Sequence, residues 1–348
     1  MVKWLKRLLP FSLVAITLAA LTVLWADQKL SEPLNLVDDD YLLDLRPGTG
    51  FSAMAASLAA DGVIAYPADI LNVYARLTGS AGAIQSGEYR LPSGLNSYDL
   101  LALLVSGDVV RYRATLIEGW TFAEMVSYLA EHPELDKRFD PAQPLWAQLE
   151  VTAPLHENPE GLFFPDTYSF VKGATDTGIM KRAYRRMQAV LNQEWPKRSD
   201  NLPYDSPYEA LIMASIVEKE TGQPHERQRI AGVFVSRLEK NMRLQTDPTV
   251  IYGLPAAEKK NLRSRHLKDD SNPYNTYRHK GLPPTPIALP GRAAIHAALH
   301  PVQDGALFFV AKGDGSHQFS ETLEQHQQAV RDYQLKRRKD YRSSPTKP

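Results

Sequence analysis

Charged residues close one of the most apolar segments of the chain, the stretch 206–222. This segment is mainly apolar up to position 217 and then carries Glu218, Lys219 and Glu220 in succession. It begins with Ser206 followed by a proline, has a glutamate three residues after the serine and ends in a glycine. These are start and stop signals of a helix, including a capping box. Because apolar residues lie nearly all the way round this helix, we expect it to be buried.

Glu218 has the features of a general acid. It shares a side of the predicted helix with Leu211 and Ala214, so its carboxyl should project beside apolar surface. Desolvation and the negative end of the helix dipole would both raise its pKa, as an acid working near neutral pH requires. Glu220 lies about 200° away and is expected to pair with a basic residue or meet water. The alternative is that all three charges fray into solvent.

Composition excludes several kinds of site. The chain has 348 residues, no cysteine and equal numbers of basic and acidic residues. It therefore has no disulfide or thiolate nucleophile, and no net field that would favour nucleic acid as a partner. His296 and His300 share a helical face, but no HExxH glutamate or recognisable third ligand accompanies them, so no metal is predicted. No phosphate-binding loop or GxSxG elbow is present, and we predict no cofactor.

The amino terminus predicts a membrane anchor. Residues 1–7 contain three basic side chains, and the uncharged, mostly apolar run 8–26 follows them, closed by Asp27. Nineteen residues at a rise of about 1.5 Å cover roughly 28 Å, close to the thickness of a bilayer core. Basic residues on the leading side predict a cytoplasmic tail over 1–7 and a single span over 8–26. A cleaved signal peptide is the alternative, but Leu24 disrupts the small-residue pattern of a cleavage site.

A local pattern recurs after the anchor. Residues 28–44 are polar and acidic and predict a short stalk or an entry strand. Glycine-containing turns then precede one-sided apolar helices at 51–59 and 122–130, with a looser copy at 94–107. The stretch 109–117 alternates partly, like a strand. This repeated strand–turn–helix unit resembles the LysM-like glycan-binding units of bacterial wall enzymes, and a plain α+β spacer is the alternative.

Proline-rich, polar residues around 141–160 predict a domain boundary. The resulting organisation is an α+β protein with a LysM-like module over 27–150 and a larger domain over 151–340. A basic, proline-containing tail over 341–348 is predicted to be disordered.

Within the larger domain, three further elements are predicted. The aromatic segment 161–170 is interrupted by a Pro-Asp-Thr sequence and predicts strand, turn, strand. A charged helix is predicted at about 176–195 and a polar helix at about 322–340.

The segment 214–221, with the sequence ASIVEKET, resembles the signature of the endolytic murein transglycosylases, the MltG or YceG-like family. Further blocks stand in that family's order, at residues 160–168, 230–238, 244–253, 271–277, 281–287 and 290–291. Each block alone is weak, but the ordered set covers nearly the whole chain and is highly specific.

The resemblance implies that the chain is a lyase that cuts nascent glycan strands. Glu218 would protonate the oxygen that leaves C1 of N-acetylmuramic acid in the β-1,4 bond to N-acetylglucosamine. The resulting carboxylate would take the proton of the same sugar's C6 hydroxyl, which attacks C1 and gives a 1,6-anhydro end. Two carboxyl groups are used by ordinary glycosidases, whereas this reaction needs one.

Further residues are predicted to bind substrate. In the polar loop after the next helix, Gln245 would bond an N-acetyl group or orient Glu218, and Asp247 would be the second carboxylate if the enzyme were hydrolytic. Asn275 and Tyr277 resemble a pair that lines lytic transglycosylase clefts, where the tyrosine hydroxyl can bond the acid. The alternatives are a turn-forming asparagine and a core tyrosine.

Location and partners follow from the anchor and the resemblance. The chain is expected in the inner membrane, crossing it once, with its catalytic domain in the periplasm. Glycan strands are the expected substrate, and peptidoglycan synthases are possible protein partners. The rival functions are a muramidase that uses water and a non-catalytic, membrane-tethered glycan-binding scaffold.

Overall fold

A computed structural model describes residues 2–36, 38, 40–46 and 48–335, with side chains from position 13 onward and not at position 40. The chain is a mixed helix-and-strand protein, which agrees with the predicted class at that level. It divides into two compact units, one formed by 1–112 with 169–174 and the other by 113–168 with 175–348. This division does not coincide with the boundary predicted near residue 150. The LysM-like character of the first module stays a prediction.

The first unit is built around an antiparallel pair of strands. Its elements are α1 (Val2–Ser31), β1 (Asp40–Leu45), α2 (Phe51–Ala60), α3 (Ala68–Leu77), β2 (Gly87–Pro92) and α4 (Ser97–Ser106). Strand β1 pairs with β2 from Asp40 opposite Pro92 to Leu45 opposite Gly87. Between these strands the chain forms α2 and α3, whose buried faces cover the core. The helix predicted at 51–59 is therefore confirmed, and the looser copy at 94–107 contains α4.

Helix α1 confirms that the amino-terminal segment could span a membrane. Its part from Leu13 to Ser31 is long and apolar enough to cross a bilayer, and nearly all of it is exposed. For residues 28–44 the predicted stalk is wrong in its first part, whereas β1 agrees with the alternative of an entry strand. Helix α1 continues to Ser31, and Leu30 and Leu34 are buried in the core of the first unit. These two leucines supply the apolar contact that a solvated stalk would lack.

The second unit carries most of the helices. Its elements are α5 (Phe122–Glu131), α6 (Leu145–Gln148), α7 (Asp176–Glu194), α8 (Pro207–Glu220), α9 (Arg227–Glu239), α10 (Asp247–Tyr252), α11 (Ser264–Leu267), α12 (Arg292–Leu299), β5 (Phe308–Ala311), β6 (His317–Ser320) and α13 (Leu323–Val330). Strands β3 (Tyr112–Thr115) and β4 (Thr167–Phe170) form a two-stranded sheet. The boundary between the units passes through both strands.

Several predicted elements of this unit are confirmed and one is wrong. Helices α5 and α7 match the predictions at 122–130 and 176–195. In the aromatic segment 161–170 only the second predicted strand forms, as β4. The first half of the segment is buried but belongs to no strand, so the first predicted strand is wrong. The helix predicted at 322–340 is α13, followed by a π-helical turn to Leu335. Its last residues and the predicted tail over 341–348 lie outside the described residues.

Helix α8 is the buried centre of the second unit. Residues 210–217 are all buried, as the continuous apolar pattern predicts, and α9 and α12 pack against the helix. Ser206 caps its start by accepting a hydrogen bond from the Glu209 N–H at 3.2 Å. The reciprocal bond of the predicted capping box goes one residue earlier, because the Glu209 carboxylate accepts from the N–H of Asp205. The helix ends at Glu220, and extended Thr221 follows it.

Candidate active site

The last turn of α8 presents two carboxylates to different neighbourhoods. Glu218 meets a group that we call the Glu218 cluster, formed with Glu118, Arg227 and Gly291. Glu220 borders a polar cavity that we call the Glu220 cavity, described below. This separation agrees with the predicted angle between the two side chains on a regular helix.

The Glu218 carboxyl is nearly enclosed and has few partners. Its side chain is 6% exposed. Oε2 accepts a hydrogen bond from the N–H of Gly291 at 2.9 Å, and Oε1 lies 3.5 Å from Nη2 of Arg227. A backbone donor and a distant guanidinium leave the carboxyl weakly compensated for its loss of water. The alternative of charges fraying into solvent is therefore wrong for Glu218.

Glu118 provides a second carboxylate beside Glu218. Its Oε2 lies 4.0 Å from the same Arg227 Nη2 that approaches Glu218, and its side chain is 49% exposed. Its Oε1 packs against the backbone of Gly291, where a Cβ atom would come within 1.9 Å of it. A glycine at 291 therefore permits Glu118 to lie here. In the cluster, a buried carboxyl and a solvent-facing carboxylate both approach the same nitrogen of one arginine.

The chain holds Glu118 and Gly291 in place through a short backbone pairing. The N–H of Gly119 donates to the carbonyl of Leu289 at 2.9 Å, and the N–H of Leu289 donates to the carbonyl of Trp120 at 2.6 Å. The proline-rich segment before Leu289 is fixed to α8, because Ser215 Oγ accepts from the N–H of Ile287 at 3.0 Å. These bonds place the segments before α5 and α12 beside the end of α8.

Arg227 is positioned by the turn that precedes α9. The buried Glu226 carboxylate accepts hydrogen bonds from the N–H of His317 at 3.0 Å and from its ring Nδ1 at 2.7 Å. This pair ties the start of α9 to β6. The Arg227 side chain is 14% exposed, and its buried Nε has no hydrogen-bond partner among the described residues. Its Nη2 is the nitrogen that both carboxylates approach.

Burial raises the pKa of Glu218, as the sequence predicted. The hydrogen bond from Gly291 opposes this shift, and the negative charge of Glu118 adds to it. The positive charges of Arg227 and Lys219 lower the pKa. Lys219 also donates from Nζ to the carbonyl of Gly119 at 3.1 Å. The neighbours therefore act in opposite directions on a carboxyl whose burial favours the protonated form.

Glu220 has a different partner. Its Oε2 accepts a hydrogen bond from Thr246 Oγ1 at 2.8 Å, and burial raises the pKa of its carboxyl. The expected pairing with lysine or arginine is replaced by this hydroxyl, although the charges of Arg237 and His317 lower the pKa. The Glu220 cavity has a volume of about 720 Å³, and polar atoms contribute most of its surface.

Three of the predicted binding residues line the Glu220 cavity, namely Gln245, Asp247 and Tyr277. Tyr277 Oη donates to Asp247 Oδ1 at 2.8 Å, so the tyrosine hydroxyl bonds this aspartate rather than Glu218. Gln245 has a positive φ of 53° and an exposed side chain. The structure thus brings these residues together beside Glu220.

Asn275 has a structural environment. It is completely buried, and its Nδ2 donates to the carbonyls of His266 at 3.0 Å and Asp269 at 2.7 Å. Its Oδ1 accepts from the N–H of Tyr277 at 3.1 Å. These bonds match the turn-forming alternative and fix the loop that carries Tyr277.

Sequence reasoning missed Glu118 and Arg227. The sequence did identify Gly119 as a turn before a helix, so the acid directly preceding that turn was an available signal. Nothing local distinguishes Arg227, because its relevance comes from the approach of α9 to the end of α8. Among the residues that the structure describes, no group of three or more histidine, aspartate or glutamate side chains could hold a metal ion.

Glu160 is another buried acid of the second unit. It is 4% exposed, and burial raises its pKa to about 7. Its carboxylate accepts from the N–H of Phe122 at 2.9 Å and from Tyr252 Oη at 3.0 Å. These bonds tie the start of α5 to the end of α10, so its contacts are those of a structural residue.

Comparisons with known proteins converge on one family. The model of the YceG-like family matches residues 43–332. An endolytic murein transglycosylase of Bacillus subtilis is 30% identical over 308 residues, which cover 84% of this chain and 84% of that protein. An endolytic murein transglycosylase of Streptococcus pneumoniae is 25% identical over 282 residues, which are 72% of this chain but 51% of the longer relative.

A solved structure supports the same similarity. The crystal structure of a YceG-like protein from Listeria monocytogenes is 27% identical in sequence and superposes with a TM-score of 0.51. The match covers 83% of this chain and 98% of the Listeria chain. The likeness therefore extends over nearly all of that structure.

Proposed function

The chain belongs to the YceG-like family and is a lytic transglycosylase of peptidoglycan, and from this premise we propose that Glu218 is its single catalytic acid and base. The proposed reaction cleaves the β-1,4 bond between N-acetylmuramic acid and N-acetylglucosamine within a glycan strand. The observation that supports this assignment is a nearly enclosed carboxyl at the end of an apolar helix, beside a second carboxylate that faces solvent.

The first step is proton donation. Burial and the charge of Glu118 favour the protonated form of Glu218, which is the form that can donate. Its proton passes to the bridging oxygen as the bond from that oxygen to C1 of the muramic acid breaks.

The second step returns the proton. The Glu218 carboxylate accepts the proton of the C6 hydroxyl as the C6 oxygen attacks C1 of the same sugar. The positive charges of Arg227 and Lys219 stabilise the carboxylate between the two steps, since both lower its pKa. The products are a 1,6-anhydro end and a new hydroxyl on the departing strand, and no water is consumed.

The Glu220 cavity is the proposed binding region for neighbouring sugar units. Gln245, Asp247 and Tyr277 offer an amide, a carboxylate and a hydroxyl, which are suitable partners for sugar hydroxyl and N-acetyl groups. Asn275 contributes by holding the loop of Tyr277 in place.

The proposed location is the inner membrane. Helix α1 would cross it once with the amino terminus in the cytoplasm, so that the rest of the chain works on nascent strands in the periplasm. The long, exposed, apolar part of α1 supports a membrane span, and the three basic residues before it support the proposed orientation. The LysM-like module would bind glycan, and peptidoglycan synthases are the proposed neighbours in the same membrane.

A muramidase is the second candidate, and Glu118 is the observation that favours it. Hydrolytic glycosidases use two carboxyl groups, and Glu118 and Glu218 both approach one Arg227 nitrogen, at 4.0 and 3.5 Å. In that reaction a water molecule would replace the C6 hydroxyl. The Glu118 carboxylate is a better placed second carboxylate than Asp247, whose hydrogen-bond partner is Tyr277.

Product analysis separates the two reactions. Purified glycan strands are digested with the full-length enzyme in detergent, and the new ends are examined by mass spectrometry. We expect anhydro ends, which are lighter than reducing ends by one water. Reducing ends formed by the wild type and absent with Glu218→Gln would refute the transglycosylase mechanism and support the muramidase. The Glu218→Gln protein also controls for contaminating hydrolases.

A further inference from the structure

Helix α3 has a second apolar stripe in addition to the face that it buries. Leu71 and Ala75 are completely buried in the core of the first unit. The second stripe, at helical spacing, consists of Ile70, Val73, Tyr74 and Leu77. Within it, Val73 is 56% and Leu77 is 82% exposed. An exposed apolar stripe on a short helix points to a contact that the isolated chain does not provide.

This stripe faces the end of the proposed anchor. The four residues share a cavity of about 470 Å³ with the last turns of α1. The α1 residues that line it are Thr22, Val23, Ala26, Asp27 and Leu30. The surface of the cavity is almost entirely apolar, so it offers few hydrogen-bond partners to a polar ligand.

The stripe cannot move independently of α1 without breaking buried contacts. Helix α1 runs without interruption into the first unit, where Leu30 is 3% exposed within the core. Tyr98 Oη also donates a hydrogen bond to Asp27 Oδ1 at 2.6 Å. The depth of α1 in a bilayer therefore determines the depth of α3.

That depth places the stripe at the membrane surface. If the run 8–26 spans the hydrocarbon, Thr22 to Ala26 occupy about its last 6 Å, given a rise of about 1.5 Å per residue. The stripe borders the same residues. Tyr74 and Tyr98 lie edge to face with ring centroids 5.0 Å apart, and tyrosine is favoured at the membrane–water interface.

We propose that the exposed stripe of α3, with Val73 and Leu77 foremost, inserts into the lipid leaflet beside α1 and forms a second membrane contact of the first unit. This inference rests on the membrane anchoring proposed above. Lipid chains suit the site because it is apolar, exposed and continuous with an anchor that lipid would already surround. The two contacts together fix the height and tilt of the first unit above the bilayer.

The absence of cysteine from the chain allows a direct test. Single cysteines are introduced as Leu77→Cys and Val73→Cys, with Val14→Cys inside the proposed span and Leu42→Cys as a matched control. Leu42 is an exposed apolar residue of the same unit, 46% accessible, outside the α3 cavity. Each full-length variant is labelled with a nitroxide and reconstituted in phosphatidylethanolamine–phosphatidylglycerol vesicles. Power saturation then compares collisions with oxygen, which partitions into lipid, and with a water-soluble nickel chelate.

We expect the labels at 14, 73 and 77 to favour oxygen and the label at 42 to favour the nickel chelate. If the label at 14 collides mainly with oxygen while the labels at 73 and 77 collide mainly with the chelate, the second membrane contact is refuted and the anchor is retained. If 14 also favours the chelate, the membrane anchoring itself fails and the inference fails with it. Spin–spin broadening at 73 and 77 would instead show a second copy of the chain on this face and would overturn lipid as the occupant.

Discussion

The Glu218 cluster and the Glu220 cavity begin on the same helical turn but differ in what surrounds each carboxylate. Glu218 accepts a hydrogen bond from a backbone N–H, whereas Glu220 accepts one from a threonine hydroxyl. Charges of both signs lie near each carboxyl, those of Glu118 and Arg227 near Glu218. The Glu118 side chain of the cluster is about half exposed to water. Glu220 instead borders a cavity of about 720 Å³, which is lined by neutral and charged polar side chains together with apolar ones.

The difference suggests a division between chemistry and binding. A proton-transferring acid needs a pKa that is balanced by neighbouring charges of opposite sign. In the Glu218 cluster, Glu118 raises the pKa of Glu218 and Arg227 lowers it. A binding region needs spread hydrogen-bonding groups, which the Glu220 cavity supplies through Gln245, Asp247 and Tyr277. Because both glutamates have raised pKa values, the pKa alone does not distinguish them.

The largest expected effect tests this division directly. General acid–base catalysis contributes about 10²–10⁴-fold to rate, so Glu218→Gln should lower kcat by about that factor. Glu220→Gln keeps an acceptor for Thr246 and should lower kcat less than about tenfold, the scale of one hydrogen bond. The measurement is the rate of anhydro-end formation from purified strands.

Folding is the control for this pair. Circular dichroism spectra and melting temperatures of both variants should resemble those of the wild type, since glutamine preserves the shape of glutamate. A large loss in Glu220→Gln together with an active Glu218→Gln would exchange the roles of the two residues. Full activity in folded Glu218→Gln and in folded Glu220→Gln would exclude both residues as the catalytic acid.

The pH dependence of kcat/KM should move in opposite directions when the two charged neighbours of Glu218 are removed. Activity requires protonated Glu218 and falls as pH rises through its pKa. Glu118 raises that pKa, so Glu118→Gln should shift the alkaline limb to lower pH. Arg227 lowers it, so Arg227→Gln should shift the limb to higher pH. Lys219, the other charged neighbour, is unchanged in both variants.

If Glu118 and Arg227 acted only on the structure, their replacement would change the rate but would not shift the alkaline limb of kcat/KM in opposite directions. Parallel shifts, or none, would therefore contradict the opposing electrostatic roles. The control is Glu160→Gln, which removes a buried acid whose bonds go to Phe122 and Tyr252. It should leave the position of the alkaline limb unchanged.

On the binding side, Tyr277→Phe should act mainly on KM. The variant removes the hydrogen bond to Asp247 and the hydroxyl offered to substrate, while it keeps the ring. One hydrogen bond contributes about 0.5–1.5 kcal/mol, so KM should rise roughly two- to tenfold with kcat nearly constant. Initial rates over a range of strand concentrations separate the two parameters. A fall in kcat that equals that of Glu218→Gln would place the hydroxyl in the chemical step.

Features that depend on residues close together in the chain could be predicted from the sequence. The start of α8, its burial and the separation of Glu218 from Glu220 follow from helix geometry and apolar spacing, and each agrees with the structure. Helix α7 could be predicted equally well, because its apolar residues recur at helical spacing among polar ones. The assignment of catalysis to Glu218 came from the family resemblance and stays a prediction.

What the sequence could not supply was long-range proximity. Glu118 and Glu218 are 100 positions apart, and their meeting depends on the pairing of Gly119 with Leu289. The hydroxyl of Tyr277 was expected near the acid, yet its partner is Asp247, because the loop of Asn275 directs it into the other neighbourhood. Spacing along the chain carries no information about such contacts.

The smallest expected effect comes from Gly291→Ala, which alters the geometry of the Glu218 cluster without removing a charge. Gly291 has φ −78° and ψ 171°, which alanine can adopt, and its N–H remains available to Glu218. The added Cβ would lie 1.9 Å from Oε1 of Glu118, so that flexible side chain must swing away. The alkaline limb of kcat/KM should then shift to lower pH, as in Glu118→Gln but by less. Combining the two substitutions should give no further shift beyond Glu118→Gln, because the displaced charge is already absent; an additive shift would mean that Gly291 acts on Glu218 by another route.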